Sequence, residues 1–291
     1  MKERRLKWVM VLPAFLFICI MLGYPLYFLL RNTLFEWSYI RADLGQTFIG
    51  LQNYQHLLKD FQLPTSIRLT LYLIVGTVGL QVILGLLIAL VLSRDIRGEG
   101  LVRSLFLAPW FIPPIVIGFN WRFMLANFGI FPAIFKFLGL NSLAAIPFLG
   151  QRSLVMPILI LVHIWTGLPG SVLIISAGLK SVPTEPYEAA MVDGASYFQR
   201  FRYVTLPFIR PALYLITFLS ATFMVRAFDI IMIMTGGGPG IASEVLSMYQ
   251  YDVGIKQFDI GYGSTLGMVL LVMSLVISAF FLRGILRSTK R

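Results

Sequence analysis

"LTLYLIVGTVGLQVILGLLIALVL", residues 69–92, carries no charged side chain in 24 positions. An α-helix rises 1.5 Å per residue, so this run is long enough to cross about 30 Å of hydrocarbon. In lipid the backbone must satisfy its own hydrogen bonds, which leaves helices or closed barrels. The run lacks the strict alternation of a barrel strand, so a helix is expected. Five further runs of the same kind follow from the sequence, at 8–30, 105–125, 154–179, 212–234 and 264–286. The expected fold class is therefore all-α, a polytopic membrane protein with six transmembrane helices in one domain spanning 1–291.

Composition agrees with that expectation. Hydrophobic residues make up 58% of the chain and charged residues 13%, with a mean hydropathy of +0.82. A soluble domain carries about 25% charged residues. The net charge of +11 would suit a nucleic-acid binder, but the placement of Lys and Arg accounts for it otherwise. With the N-terminus inside, fifteen basic residues fall on the inner side: Lys2, Arg4, Arg5, Lys7, Arg94, Arg97, Arg103, Lys180, Arg200, Arg202, Arg210, Arg283, Arg287, Lys290 and Arg291. Seven fall outside: Arg31, Arg41, Lys59, Arg68, Lys136, Arg152 and Lys256. This bias places both termini in the cytoplasm and excludes any need for nucleic acid. Residues 8–30 exceed the apolar core of a cleaved leader and precede no A-x-A site, so a retained helix is expected. One cysteine, Cys19, excludes a disulfide within the chain.

Two sizeable outer loops are expected at 31–68 and 126–153, and a third at 235–263 opens with "TGGGPG", a turn signal. The inner loop 180–210 is different. It holds "EPYEAAMVDGASYFQRFRYVTLP", residues 185–207, the longest polar stretch of the chain. Thr184 can cap a helix whose first turn carries Glu185, Pro186 and Glu188. Gly194 can end it in the left-handed conformation. Tyr187, Ala190 and Met191 share one face by their i, i+3, i+4 spacing. Ser196 can cap a second short helix leading into the fifth span. Two readings stand on these residues alone: an amphipathic connector on the bilayer surface, or a helix that docks in a groove of a soluble partner.

Glu188-Ala189-Ala190, then Gly194, then Val204-Thr205-Leu206-Pro207 resembles the signature of permease subunits of bacterial ATP-binding-cassette importers, with Val204 in place of isoleucine. "GLQNY" (50–54), "RSLFLAPWFIPP" (103–114), "WTGLPG" (165–170) and "TGGGP" (235–239) are similar to the carbohydrate-uptake branch of that family, the maltose- and glycerol-phosphate-type, binding-protein-dependent permeases, and within it to the larger permease subunit. The resemblance implies a type I importer permease fold in the bacterial inner membrane. It implies as partners a second permease, two ATPase subunits, an extracytoplasmic solute-binding protein and a carbohydrate. By the same resemblance 185–207 is the coupling helix, with Glu188, Ala189, Ala190, Asp193 and Gly194 meeting the ATPase together with Tyr187 and Met191.

No G-x-x-x-x-G-K-[ST] phosphate loop occurs in the chain, and "GGGPG" has no Lys-Ser/Thr after it. The chain is therefore expected not to be an enzyme and to hold no cofactor itself, ATP and Mg belonging to the partner ATPases.

Polar residues inside spans are costly and mark pathways. The fifth span offers Thr217, Ser220, Thr222, Arg226 and Asp229. The fourth offers His163, Trp165, Thr166 and Ser171, with Gly167, Pro169 and Gly170 able to loosen the helix. The resemblance implies sugar-lining positions at Thr166, Gly167, Gly170, Ser220, Phe223, Met224 and Ala227. Gly170, Met224 and Ala227 depart from the larger or more polar groups of the maltose permease, which points to a differently shaped ligand. Arg226 either pairs with Asp229 at i, i+3 or faces the cavity and holds an anionic group, for which its planar donor fork is suited. Arg122 is expected to snorkel to the interface, and His163 to bond a neighbouring helix rather than relay protons. Trp110, Trp121 and Trp165 can stack on sugar rings or anchor at the interface.

An ion- or proton-coupled secondary transporter is the alternative function, with Asp229 and His163 as its only titratable candidates. The lack of an internal repeat weakens it. No nucleophile–base or metal-spaced cluster supports a membrane enzyme.

Overall fold

The computed structural model describes residues 2–40, 45–92 and 106–288. Arg41, Arg94, Arg97, Arg103, Lys290 and Arg291 of the charge count lie outside the described residues, as do the first three residues of the 103–114 motif. Six helices are long and apolar enough to cross a membrane. In chain order they arise from α1 (Lys2–Asn32), α3 (Leu63–Leu92), α4 with α5 (Pro114–Leu125 and Ile130–Phe137), α7 (Arg152–Lys180), α10 (Leu206–Val225) and α13 (Ile260–Ser288). The shorter elements are α2 (Gln52–Lys59), α6 (Asn141–Ala144), α8 (Glu185–Val192), α9 (Tyr197–Arg200), α11 (Asp229–Met234) and α12 (Leu246–Tyr251). A two-residue hairpin, β1 (Phe35–Glu36) against β2 (Thr47–Phe48), is the one sheet among the described residues.

Two expected spans are broken. The run at 105–125 contains a 3-10 turn at Ala108–Phe111 before α4 starts at Pro114. Pro109, Pro113 and Pro114 cause this: proline lacks the N–H for the ladder and forces its predecessor out of the helical region. The run at 212–234 is interrupted at 226–228, between α10 and α11. The second span begins earlier than expected, at Leu63, because the Asp60 carboxylate accepts from the N–H groups of Gln62 (2.8 Å) and Leu63 (3.3 Å) and so starts the helix.

The chain divides into two compact units, Met1–Thr65 with Tyr249–Val272, and Ser66–Met248 with Met273–Arg291. In the first, residues 10–31 of α1 include no buried residue, and a helix apolar all round belongs in lipid or against a partner. Asp60 Oδ2 accepts from the hydroxyl of Tyr249 at 2.5 Å and from that of Tyr262. The His56 ring lies 4.3 Å from the Tyr262 ring. Burial raises the Asp60 pKa, but these two tyrosines and the two backbone N–H groups outweigh it and hold the carboxyl below its usual value.

In the second unit the core is built from α3, α4, α7, α11 and the segment before α12, around Leu73, Ile117, Leu159, Ile231 and Met248. The expected loop opening at 235 is largely interior. Residues 243–249 are all buried, and the N–H of Leu246 donates to Thr70 Oγ1 at 2.9 Å. Glycine turns at Gly236, Gly237 and Gly240, all with positive φ, let the chain double back. Thr235 and Ser243 hydroxyls close that turn at 2.8 Å.

Candidate functional site

Two regions of the second unit carry the candidate residues. The first is α8–α9. Thr184 occupies the N-cap position of α8, but its side chain makes no capping bond; its carbonyl accepts from Tyr187 and Glu188 instead. The expected side-chain cap is thus absent. The far end behaves as the sequence implies. Gly194 has φ +73°, a conformation that costs an L residue roughly 1–2 kcal/mol. Ser196 Oγ accepts from the Gln199 N–H while Gln199 Oε1 accepts from the Ser196 N–H, a full capping box.

Tyr187 and Met191 differ in exposure: Tyr187 is half-buried and Met191 exposed. The Tyr187 hydroxyl bonds the buried Thr205 hydroxyl, which draws the ring inward and ties α8 to the π-helical turn at Phe201–Thr205. Ala190 is half-buried beside it, whereas Glu188, Ala189, Asp193 and Gly194 are exposed. Met191 is 52% and Val192 88% exposed, and Tyr197, Phe198 and Tyr203 project nearby in sequence. The loop therefore presents apolar and acidic side chains outward while one tyrosine anchors it.

The second region is where α3, α7 and α10 meet. The Gln81 amide nitrogen lies 2.7 Å from Ser171 Oγ, 2.9 Å from Ser220 Oγ and 3.0 Å from the Gly167 carbonyl. Sequence reasoning named Gly167, Ser171 and Ser220 but missed Gln81. Its signal was the single amide in an otherwise apolar run of 24 residues. Thr166 Oγ1 donates to the His163 carbonyl at 3.0 Å. Gly170 is buried, with the Trp110 indole 3.5 Å from where a Cβ would stand. Met224 packs on the core and Ala227 is buried within it, its carbonyl accepting from Ser247. Phe223 is 61% exposed, and the Arg226 guanidinium lies 5.5 Å from its ring centroid. Thr166, Gly167 and Phe223 thus reach accessible surface, whereas Gly170, Ser220 and Ala227 are enclosed.

Arg226 and Asp229 do not share a helix face. The break at 226–228 puts Arg226 at the C-cap of α10 and Asp229 at the start of α11. Each charge sits at the helix end its sign favours. Arg122 is exposed, and its Nη1 donates to the Ile233 carbonyl at 3.0 Å, closing the end of α11. His163 Nδ1 bonds the Leu159 carbonyl of its own helix at 2.7 Å rather than a neighbouring helix. Trp121 and Trp165 meet edge to face at 5.8 Å, and Trp121 stacks on Phe131. The two tryptophans line a cavity of about 400 Å³ with Ile112, Asn120 and Met124.

Residues 81–291 match the family described as binding-protein-dependent transport system inner membrane component. A probable ABC transporter permease protein of Sinorhizobium fredii is 35% identical over 92% of this chain and 86% of its own length. The trehalose/maltose transport system permease protein MalF of Thermococcus litoralis is 30% identical over 97% of this chain and 94% of its own. A bacterial ABC transporter involved in import of the acidic polysaccharide alginate has a chain that superposes with a TM-score of 0.83, at 23% identity, over 98% of this chain and 96% of that one.

Proposed function

The chain belongs to the family of binding-protein-dependent transport system inner membrane components, and from that premise we propose that it is one permease of an ATP-driven importer carrying a sugar or sugar derivative into the bacterial cytoplasm. A polytopic membrane component of a transporter is what family and fold establish. The sugar class follows the name of the Thermococcus litoralis relative. The whole chain serves as one transmembrane permease domain, with both termini in the cytoplasm. A second permease completes the pathway, two ATPase subunits hold ATP and Mg, and an extracytoplasmic binding protein delivers the cargo.

The observation that carries this reading is the outward face of α8–α9. A capped pair of short helices exposes Glu188, Ala189, Met191 and Asp193 while Tyr187 bolts the pair to the fifth span. An element bonded to a span and presenting both apolar and acidic side chains outward is what a motor protein needs to grip. The ATPase pair shifts this chain between inward- and outward-facing states only through contacts that differ between its own two states, and α8 supplies those contacts. Thr166, Gly167, Ser220 and Phe223 form the cargo-facing wall, with Gly170, Met224 and Ala227 shaping it from behind and Arg226 at its edge.

The test is the assembled complex bearing Glu188→Lys or Gly194→Pro. Proline at 194 is incompatible with φ +73°. Each variant is expected to lose uptake, either with ATP hydrolysis continuing uncoupled or with the ATPase subunits failing to co-purify. Normal uptake and normal assembly in both would refute the role of α8.

A further inference from the structure

We infer that Gln81 is a positioning residue for cargo recognition: its amide joins three spans at one level and turns the Ser220 hydroxyl into a donor toward the transported sugar. The inference rests on the reading of Thr166, Gly167, Ser220 and Phe223 as the cargo-facing wall.

Proton bookkeeping carries it. The amide nitrogen of Gln81 holds two hydrogens and faces three oxygens, those of Ser171, Ser220 and the Gly167 carbonyl. A carbonyl has no proton to give, whereas each serine both donates and accepts. The Ser171 hydroxyl donates to the Gly167 carbonyl at 3.4 Å. The two Gln81 protons are shared among Ser171, Ser220 and the Gly167 carbonyl, and the amide nitrogen accepts from none of them. One proton is left over, that of the Ser220 hydroxyl.

The rest of α10 sharpens the point. Thr217 and Thr222 spend their protons on the i−4 carbonyls of Leu213 and Phe218, at 2.6 and 2.8 Å. Ser220 makes no such bond among the described residues. Its side chain is 7% exposed, so the proton has a narrow range of directions. One helical turn on, Phe223 stands at the surface. A sugar hydroxyl or ring oxygen against Phe223 supplies the acceptor that Ser220 lacks.

The geometry is tightly made. A Cβ on Gly167 would stand 2.8 Å from Gln81 Oε1 and 2.9 Å from its nitrogen, so Gly167 is the residue that lets the amide reach between α7 and α10. A glutamate would keep the amide's shape with at most one proton to give in place of two, so Ser171 and Ser220 would no longer both be held as acceptors, Ser220 could turn its proton inward and the cargo would lose its donor.

The experiment uses the complete importer in proteoliposomes. Radiolabelled maltose, trehalose, glucose and glycerol 3-phosphate are offered, and the one that the wild type accumulates fastest is the probe. Gln81→Glu and Ser220→Ala are each expected to raise KM for the probe about tenfold, the worth of one hydrogen bond, and to lower kcat far less. The double variant is expected to be no worse than either single one. If the glutamate variant does not assemble, Gln81→Met takes its place, matching length without a donor. A Gln81 effect undiminished in the Ser220→Ala background would overturn the inference, as would unchanged KM in the Gln81 variants while Ser220→Ala raises it. Unchanged KM in both Ser220→Ala and Phe223→Ala would instead overturn the cargo wall beneath it.

Discussion

Asp60 shows how one side chain can start a span and bind distant segments together. It accepts from two tyrosine hydroxyls and two backbone N–H groups. Its folded pKa lies below the unfolded value, which for aspartate is about 3.9. The stabilisation is therefore fully present above about pH 4 and is lost as pH falls through the lower folded value. Asp60→Asn is expected to lower the thermal midpoint of the purified protein at neutral pH and to flatten its acid limb; an unchanged acid limb would contradict this. Arg226 is a second residue-scale case. A guanidinium 5.5 Å from the ring centroid of exposed Phe223, with no ion pair to a carboxylate among the described residues, suits an anionic group on the cargo. Arg226→Ala is expected to cut uptake at least tenfold with assembly intact, and unchanged uptake would exclude that role. At this scale the sequence spoke unevenly. Glycine at 194 and serine at 196 announced their conformations because only local backbone geometry decides them. Gln81 did not, because its partners lie 86 to 139 residues away, and no local pattern links them. The pairing of Arg226 with Asp229 was misread for a related reason: i, i+3 spacing assumes a continuous helix.

At the scale of elements, apolar length located four of the six spans to within six residues, since hydrocarbon thickness sets how long a helix must be, while the third and fifth, at Pro114–Phe137 and Tyr197–Val225, only overlap the runs expected at 105–125 and 212–234. The breaks were harder. The third span is interrupted by its own prolines, a signal present in the sequence. The fifth is interrupted at 226–228 without proline or glycine, and what holds the gap is tertiary: Arg122 bonds Ile233 in α11 and Ser247 bonds the Ala227 carbonyl. The interior course of 243–249 was likewise hidden, because loops are ordinarily superficial. The α8–α9 pair was the most legible element, and its cap gives a direct test. Ser196→Ala removes the bond to the Gln199 N–H and is expected to weaken α9 by about 1 kcal/mol. Hydrogen exchange of the amides at 197–200 should quicken roughly fivefold, and unaltered exchange would show that packing rather than the cap holds the helix.

For the whole molecule, exposed apolar surface is found on α1 and on the α8–α9 pair. α1 is unburied in its apolar window, and Met191, Val192, Tyr197 and Phe198 face outward. On the reading proposed above, lipid, a second permease and a motor would cover these surfaces. Function was legible in the sequence where a long fixed spacing recurs, as at 188–207. The proposed cargo wall was less legible, because Gln81, Gly167 and Ser220 come together from three spans. The most direct measurement of the central claim uses sealed proteoliposomes holding the complete importer, with ATP trapped inside and loaded binding protein outside. The account predicts that uptake requires both and is indifferent to a protonophore. Uptake that persists without ATP and collapses with the protonophore would contradict it.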